Sequence, residues 1–166
     1  MSEGVGPLTT LSELLTATFA IPDDTRVEHV AVVEIEDALV QWMRDGTVPH
    51  GPTYLADERL TVTNADIRNA VAEAADDSFD LVLLDVDNGP GYLVYDENAR
   101  VYEEQFIAGV RRVLRKGGCL VVWSASETTR LQDTMAQVFG NCEAIPHPVR
   151  LQTREERYWL YLSRAP

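Results

Sequence analysis

The sequence predicts an α/β fold in which helices cover both faces of a mostly parallel, doubly wound sheet. Short apolar runs of strand length alternate with stretches whose apolar residues recur at helical spacing, and this alternation is typical of such folds. The run Leu81–Leu84 is apolar throughout, which favours a strand buried on both faces. A chain of 166 residues with 45% hydrophobic content has the size of one domain, and we predict a single domain over residues 1–166.

The first half of the chain contains helix and strand patterns in alternation. An apolar stripe at helical spacing, with a proline suited to the first turn, predicts an amphipathic helix within an atypical N-terminal region, residues 1–26. Two β-branched runs predict strands, and a loop rich in Gly and Pro precedes the second of them. The predicted elements are a helix over Leu8–Phe19, a strand over Val27–Ile35, a helix over Asp37–Arg44 stopped by Gly46, a loop over Thr47–Pro52 and a strand over Leu60–Thr63.

The second half continues the alternation and ends in an antiparallel pair. A loop of about a dozen residues follows its first strand, and connections of this length in α/β proteins are more often functional than idle. The predicted elements are a strand over Asp80–Asp85, a helix over Ala99–Leu114 stopped by Gly117-Gly118, a strand from Cys119, a helix capped by Ser126, and strands over Cys142–Ile145 and Tyr158–Ser163. A short turn at Arg154–Arg157 indicates that the last two strands pair antiparallel at the sheet edge.

The charge balance argues against two classes of partner. A formal net charge of −13 repels phosphate backbones and anionic lipid, so we expect no nucleic-acid and no membrane partner. The same acidity is also compatible with nothing more than a well-hydrated surface. No apolar stretch approaches the roughly 20 residues that a membrane helix needs. The chain has only 2 cysteines, one of them within an apolar strand pattern, so we expect a cytoplasmic protein.

Acidic residues follow three successive predicted strands. Glu34 and Glu36 end the first strand, Asp66 follows the second, and Asp85 and Asp87 follow the third. Ligands of doubly wound sheets bind outside the carboxyl ends of the strands, so acids there are candidates for a binding site. A single acid at such a position often only caps the next helix, whereas acids at three strand ends favour a ligand. The sequence has no zinc-type Cys/His cluster, and we expect no metal.

Five motifs together resemble the spermidine synthase family. In chain order they are Val33-Glu34-Ile35-Glu36, Asn64-Ala65-Asp66, Leu83-Leu84-Asp85-Val86-Asp87-Asn88-Gly89-Pro90-Gly91, Tyr102-Glu103-Glu104-Gln105-Phe106 and Leu114-Arg115-Lys116-Gly117-Gly118. The resemblance covers about Val27 to Ser163. It implies the Rossmann-like fold of class I S-adenosylmethionine-dependent methyltransferases, with an antiparallel C-terminal edge.

The resemblance also implies roles for the acids. Glu34, with Glu36 as its neighbour, would hold the ribose hydroxyls of an adenosyl sulfonium, and Asp66 with the backbone of Ile67 would contact the adenine. Asp85 matches the general base toward the attacking amine, Asp87 matches a second catalytic acid, and Tyr92 would help to close the pocket over the substrate. We therefore expect S-adenosylmethionine or its decarboxylated form as co-substrate and a small amine as acceptor.

The start of the chain departs from the family pattern. Only Met1-Ser2-Glu3 precede Gly4-Val5-Gly6, and three residues are too few for a buried strand. We therefore expect the first strand, most of the glycine-rich loop and the family's N-terminal β-hairpin domain to be missing, with Gly4 and Gly6 as a remnant of the cofactor loop or a flexible terminus. A start site placed too late, a strand supplied by a second copy in a homodimer, and a paralogue that lost the cofactor would each explain the departure.

Two functions remain open from the sequence. The first is an enzyme that transfers an aminopropyl or methyl group from the sulfonium to a small amine or another nucleophile. The second is a catalytically silent paralogue that acts as a binding or assembly module through the sheet edge and the acidic rim.

Overall fold

The computed structural model describes residues 27–151 and 154–166 of the chain. Their contacts divide the protein into two compact units, one ending at Ala70 and the other beginning at Val71. The predicted helix Leu8–Phe19 and the two glycines Gly4 and Gly6 lie outside the described residues. Within the described ranges, no helix combines the length and the apolar character that crossing a membrane requires.

The first unit contains a parallel pair of strands and the helices that follow the first of them. Its elements are β1 (Val30–Glu34), α1 (Asp37–Asp45), α2 (Gly51–Leu55), β2 (Leu60–Asn64) and the start of α3 (Ile67–Glu73). β1 and β2 pair in parallel, with Val30 opposite Leu60 and Glu34 opposite Asn64. These strands confirm the predicted ones to within a few residues, because runs of β-branched residues bounded by polar turns leave little choice of element.

The helix α1 ends where the sequence predicts. Gly46 takes the left-handed conformation (φ 83°) at its C-terminus, a conformation that glycine adopts without steric cost. The short helix α2 was not predicted and occupies part of the presumed loop. It approaches α1 closely, because a Cβ on Gly51 would lie 2.8 Å from the Met43 Cα. The proline after Gly51 belongs to the first turn of α2, where its missing N–H costs nothing.

The second unit is built on a four-stranded sheet of order β3-β4-β6-β5. Its further elements are β3 (Phe79–Leu84), a 3-10 helix (Asp96–Tyr102), α4 (Glu104–Val113), β4 (Leu114–Ser124), α5 (Thr129–Phe139), β5 (Glu143–Leu151) and β6 (Arg154–Arg164). β3 and β4 are parallel, whereas β6 runs antiparallel to both β4 and β5. The predicted α/β class and the antiparallel C-terminal edge are therefore confirmed.

The core of the second unit lies between the sheet and the helices α4 and α5. The fully buried side chains include Ile107 and Val110 on α4, Leu131 and Met135 on α5, and Tyr161 on β6. Their spacing along each helix is the apolar stripe seen in the sequence, so hydrophobic burial fixes which faces turn inward.

Three predicted details of the second unit are wrong. The predicted helix Ala99–Leu114 is two helices, broken at Glu103, whose backbone is extended (φ −85°, ψ 157°). The predicted turn Arg154–Arg157 belongs to β6, with Arg157 paired to Pro148. Ser126 does not cap α5, because that helix begins at Thr129.

Candidate functional site

The first half of the predicted site lies at the carboxyl ends of β1 and β2. Glu34 is the last residue of β1 and pairs with Asn64, the last residue of β2. The Ala65 N–H donates to the Glu34 carbonyl (3.1 Å), and the Asn64 side-chain amide donates to the carbonyls of Glu34 (2.9 Å) and Ile35 (3.1 Å). These bonds hold the two strand ends side by side, so the structure brings Glu34 close to the segment that leads to Asp66.

The carboxylate of Glu34 is half-buried and partly engaged. Its Oε1 accepts the backbone N–H of Glu36 at 2.7 Å, and among the described residues its Oε2 accepts no hydrogen bond. Each carboxylate oxygen has two lone pairs, so this group retains acceptor capacity for a pair of hydroxyl donors. Glu36 itself is exposed at the start of α1, and its side chain does not cap that helix.

Asp66 is fully occupied by Arg68. Its Oδ1 accepts the backbone N–H of Arg68 (2.8 Å), and its Oδ2 accepts Nη2 of the same residue (2.5 Å). The hydrogen bond from the Arg68 side chain holds the pKa of Asp66 below its usual range. The carbonyl of Asp66 also accepts the N–H groups of Asn69 and Ala70, so Asp66 caps α3. An adenine amino group would have to compete with Arg68 for this carboxylate.

Ile67 presents a backbone donor beside Asp66. It is the first residue of α3, and the N–H groups of a first turn have no acceptor within their own helix. Among the described residues, no acceptor takes the N–H of Ile67. This backbone group is therefore free to donate to a ligand, and that it contacts an adenine stays a prediction.

The second half of the predicted site follows β3. Asp85 comes directly after the last residue of the strand and is open to solvent. None of the described residues donates a hydrogen bond to its carboxylate. Protein surrounds the carboxyl on its other sides, and this partial desolvation raises the pKa of Asp85. An unpartnered carboxylate with a raised pKa is suited to accept a proton.

Asp87 lies in a tight turn that other side chains hold in place. Its backbone is left-handed (φ 54°), a conformation that is uncommon outside glycine but tolerated by Asp. The Asn98 side-chain amide donates to Oδ2 of Asp87 at 2.9 Å. The Tyr102 hydroxyl donates to the carbonyl of Val86, the residue between the two acids. Burial first, and then the negative charges of Asp87 and Asp85, raise the pKa of Tyr102, so its hydroxyl keeps its proton.

The loop after the acids is seated on the end of β4. Gly89 is buried and left-handed (φ 88°), and a Cβ there would lie 2.9 Å from the Ser124 Cα. The Ala125 N–H donates to the Asn88 carbonyl at 3.1 Å, and the Tyr92 N–H donates to the Gly89 carbonyl at 3.1 Å. The backbone of Tyr92 thus closes the loop, while its side chain is 61% exposed. That it closes over a substrate stays a prediction.

The structure thus groups the predicted residues within each unit. Glu34, Glu36, Asp66 and Ile67 lie at the ends of β1 and β2, and Asp85, Asp87 and the loop of Tyr92 follow β3. In the part of the chain that the structure describes, no three His, Cys, Asp or Glu side chains are grouped as metal ligands would be. That the site uses no metal stays a prediction.

Sequence reasoning missed the groups that hold the acids. Arg68 could have been found, because an Asp at a helix start followed two residues later by Arg is a local pattern. Tyr102 stands in one of the five motifs, but the motif does not signal that its hydroxyl donates to the Val86 carbonyl. Asn98 follows Asp87 by eleven positions across an irregular loop, and nothing in the sequence signals their contact.

Comparisons with known proteins place the chain in a family. The model of the spermine/spermidine synthase domain matches residues 16–152. A polyamine aminopropyltransferase from Pseudomonas syringae pv. tomato is 28% identical over 107 residues, which are 63% of this chain and 35% of that protein. The chain therefore spans about a third of the length of this curated relative.

Solved structures agree on the fold. A spermidine synthase from Thermotoga maritima superposes with a TM-score of 0.68 at 12% identity, covering 96% of this chain and 50% of that one. A spermidine synthase solved with the transition-state analogue AdoDATO gives 0.72 at 13% identity, covering 96% of this chain and 52% of that one. A tRNA methyltransferase from Aquifex aeolicus superposes with a TM-score of 0.54 at 15% identity, covering 82% of this chain and 53% of that one. The Rossmann-like class I methyltransferase fold is confirmed, and the chain belongs to the spermine/spermidine synthase family.

Proposed function

We propose that the chain binds S-adenosylmethionine or its decarboxylated form and transfers a methyl or aminopropyl group from the sulfonium to a small amine. The observation that carries the proposal is the state of Asp85, a carboxylate without a hydrogen-bond donor among the described residues and with a raised pKa. It follows β3 within the region that matches the spermine/spermidine synthase domain, in a motif that resembles that family. The length shared with the curated relative is partial, so the whole activity is a proposal for this chain.

The proposed reaction is an in-line displacement. The lone pair of the amine nitrogen attacks the carbon bonded to the sulfonium, the carbon–sulfur bond breaks, and its electron pair stays on sulfur as a neutral thioether. The nitrogen loses a proton, and Asp85 accepts it. Catalysis then needs chiefly the positioning of the two reactants and the removal of this proton. Asp87, two residues after Asp85, is proposed to hold the acceptor in its ammonium form until the nitrogen passes its proton to Asp85 and its lone pair becomes free.

The nucleotide half of the site is proposed to bind the adenosyl group. Glu34 would accept the two ribose hydroxyls, with Glu36 as a neighbour, and the N–H of Ile67 would donate to the adenine ring. Asp66 would accept the adenine amino group only after its contacts with Arg68 rearrange. Gly4 and Gly6, outside the described residues, are proposed as further contacts to the co-substrate.

Calorimetry tests the binding part of the proposal. Wild-type protein is titrated with S-adenosylmethionine, its decarboxylated form and methylthioadenosine, all of which carry the ribose. Glu34→Gln removes the charge that accepts the hydroxyls, and we expect it to weaken binding about tenfold or more. Glu28→Gln, an exposed acid ahead of the other end of β1, is the matched control and should bind as the wild type does.

The outcomes separate the proposed enzyme from the silent module. Folded wild-type protein that gives no heat with any of the three compounds would contradict the proposal and favour a binding or assembly role. If binding is found, mass spectrometry of the thioether product, with 1,4-diaminobutane and other small amines as acceptors, tests turnover. Asp85→Asn should then retain co-substrate binding and lose transfer.

A homodimer and a cytoplasmic location are proposed alongside this activity. Among the described residues, β1 pairs only with β2, and β3 pairs on one side only, with β4. Leu81 and Leu83 of β3 are 45% and 48% exposed, which is unusual for a strand of this apolar character. Such an edge is a template for a further strand. Sedimentation equilibrium should show a dimer, and a strict monomer at all concentrations would contradict it.

A further inference from the structure

We infer that Asn98 is a positioning residue of the amine site: its side-chain amide fixes the carboxylate of Asp87, so that one oxygen faces an incoming ammonium while the other is held. The inference rests on the proposed function, because it explains the contact between Asn98 and Asp87 by the binding of an amine. Nothing in the family motifs marks Asn98, which lies in the 3-10 helix between the loop and α4.

The two oxygens of Asp87 have different surroundings. Oδ2 accepts the Asn98 amide at 2.9 Å, whereas Oδ1 accepts no hydrogen bond from the described residues. An amide is a neutral donor, so it orients the carboxylate without cancelling its charge, as an arginine would do. The contrast with Asp66 is informative, since Arg68 engages both oxygens of that carboxylate. Asp87 therefore keeps one oxygen free to accept a hydrogen bond from a cationic ligand.

The turn that carries Asp87 is anchored from the same helix. Tyr102, which is 7% exposed, donates its hydroxyl to the Val86 carbonyl, and the Gly89 N–H approaches that carbonyl at 3.4 Å. The 3-10 helix thus supplies one donor to the backbone before Asp87 and one to its side chain. The backbone anchor does not bind the carboxylate of Asp87, and among the described residues Asn98 is the one that donates a hydrogen bond to it. Asn98 therefore acts on carboxylate orientation, separately from the fold of the turn.

The test combines kinetics with a double-variant cycle. With decarboxylated S-adenosylmethionine and 1,4-diaminobutane as probes, Asn98→Ala should raise the KM for the amine about tenfold, by the loss of one charge-assisted hydrogen bond. The affinity for methylthioadenosine should not change, since that compound lacks the amine. In an Asp87→Asn background, Asn98→Ala should have little further effect, because it acts through the missing carboxylate. Asn98→Ser, which keeps a short donor, should recover part of the loss.

A control and a readout without turnover keep the inference falsifiable. Glu97→Gln, an exposed neighbour on the same helix, should leave every parameter unchanged. Nuclear magnetic resonance of the free proteins should show the Asp87 side chain in one rotamer in the wild type and averaged in Asn98→Ala. Equal rotamer behaviour in both would overturn the inference even without activity. Amine KM values that match in Asn98→Ala and wild type would overturn it as well, whereas an inactive wild type would refute the proposed function instead.

Discussion

Replacing Gly89 by alanine should lower the stability of the protein far more than the same change at other left-handed glycines. A Cβ at this position would lie 2.8 Å from the Cβ and 2.9 Å from the Cα of Ser124, against 3.4 Å or more for ordinary contact. The loop and β4 must then separate by about 0.5 Å, since the Cα belongs to a strand that cannot rotate away. That shift also stretches the bond from the Ala125 N–H to the Asn88 carbonyl, now 3.1 Å.

The magnitude follows from three costs. A non-glycine residue in the left-handed conformation costs about 1–2 kcal/mol, overpacking about 1–3 kcal/mol, and a weakened backbone hydrogen bond about 1 kcal/mol. We expect Gly89→Ala to lower the free energy of unfolding by about 3–6 kcal/mol, a large share of the stability of a small protein. Because Gly89 is two residues from Asp87, amine binding should weaken as well.

Two other glycines separate the steric cost from the backbone cost. Gly117 (φ 78°) and Gly140 (φ 76°) are left-handed too, but a Cβ on either would meet nothing within 4 Å. Gly117→Ala and Gly140→Ala should therefore cost only about 1–2 kcal/mol. Urea denaturation followed by circular dichroism measures all three, with the m-value checking that the unfolding reaction is the same. Equal losses for Gly89→Ala and the two controls would refute the close approach to Ser124.

Three further substitutions test the second unit. Because desolvation raises the pKa of Asp85, the folded state binds the carboxyl proton more tightly than the unfolded state does. The contribution of Asp85 to the free energy of unfolding therefore falls as pH rises from about 3.9 through the raised pKa. Asp85→Asn should remove that fall in urea denaturation at several pH values, and an unchanged pH dependence would contradict this prediction. The Arg112 guanidinium donates to the Val71 carbonyl at 2.7 Å. Arg112→Lys should lower the free energy of unfolding by about 1 kcal/mol, a small value because the side chain is partly exposed to solvent. An unchanged midpoint of thermal unfolding would be inconsistent with that bond. The buried Tyr161 hydroxyl accepts the Thr128 N–H at 2.6 Å. Tyr161→Phe should lower the free energy of unfolding by about 1–2 kcal/mol, because it leaves that donor unpaired. Hydrogen exchange of the Thr128 amide that is no faster than in the wild type would argue against this prediction.

Strands were predictable from the sequence because their information is local. The apolar runs that became β1, β2 and β3 are bounded by polar turn residues, and their ends move by only a few residues between prediction and structure. The break at Glu103 was not predictable in this way. The apolar spacing continues through it from Tyr102 to Phe106, so periodicity alone favours one helix. What orients Tyr102 is its hydroxyl bond to Val86, a contact made across sixteen residues.

The positions of the acids were predictable, whereas their chemical states were not. Parallel strands end at a common edge, and this topological rule is enough to place Glu34 next to the segment of Asp66. Whether an acid is free or occupied depends on side chains that reach it, such as Asn98 from a later helix. Such contacts follow from packing rather than from spacing along the chain.

Two acids in equivalent places, after β2 and after β3, have opposite electrostatic surroundings. Arg68 binds Asp66 through both oxygens and lowers its pKa, so this group remains ionised and is poorly suited to take up a proton. Asp85 has no donor among the described residues, and desolvation raises its pKa. When the surroundings of two carboxylates shift their pKa values in opposite directions, the group with the lowered pKa remains a charged hydrogen-bond acceptor and the group with the raised pKa can accept a proton. Of the two acids, Asp85 is therefore the better suited to accept a proton, because Arg68 lies beside Asp66 and no arginine among the described residues donates to Asp85.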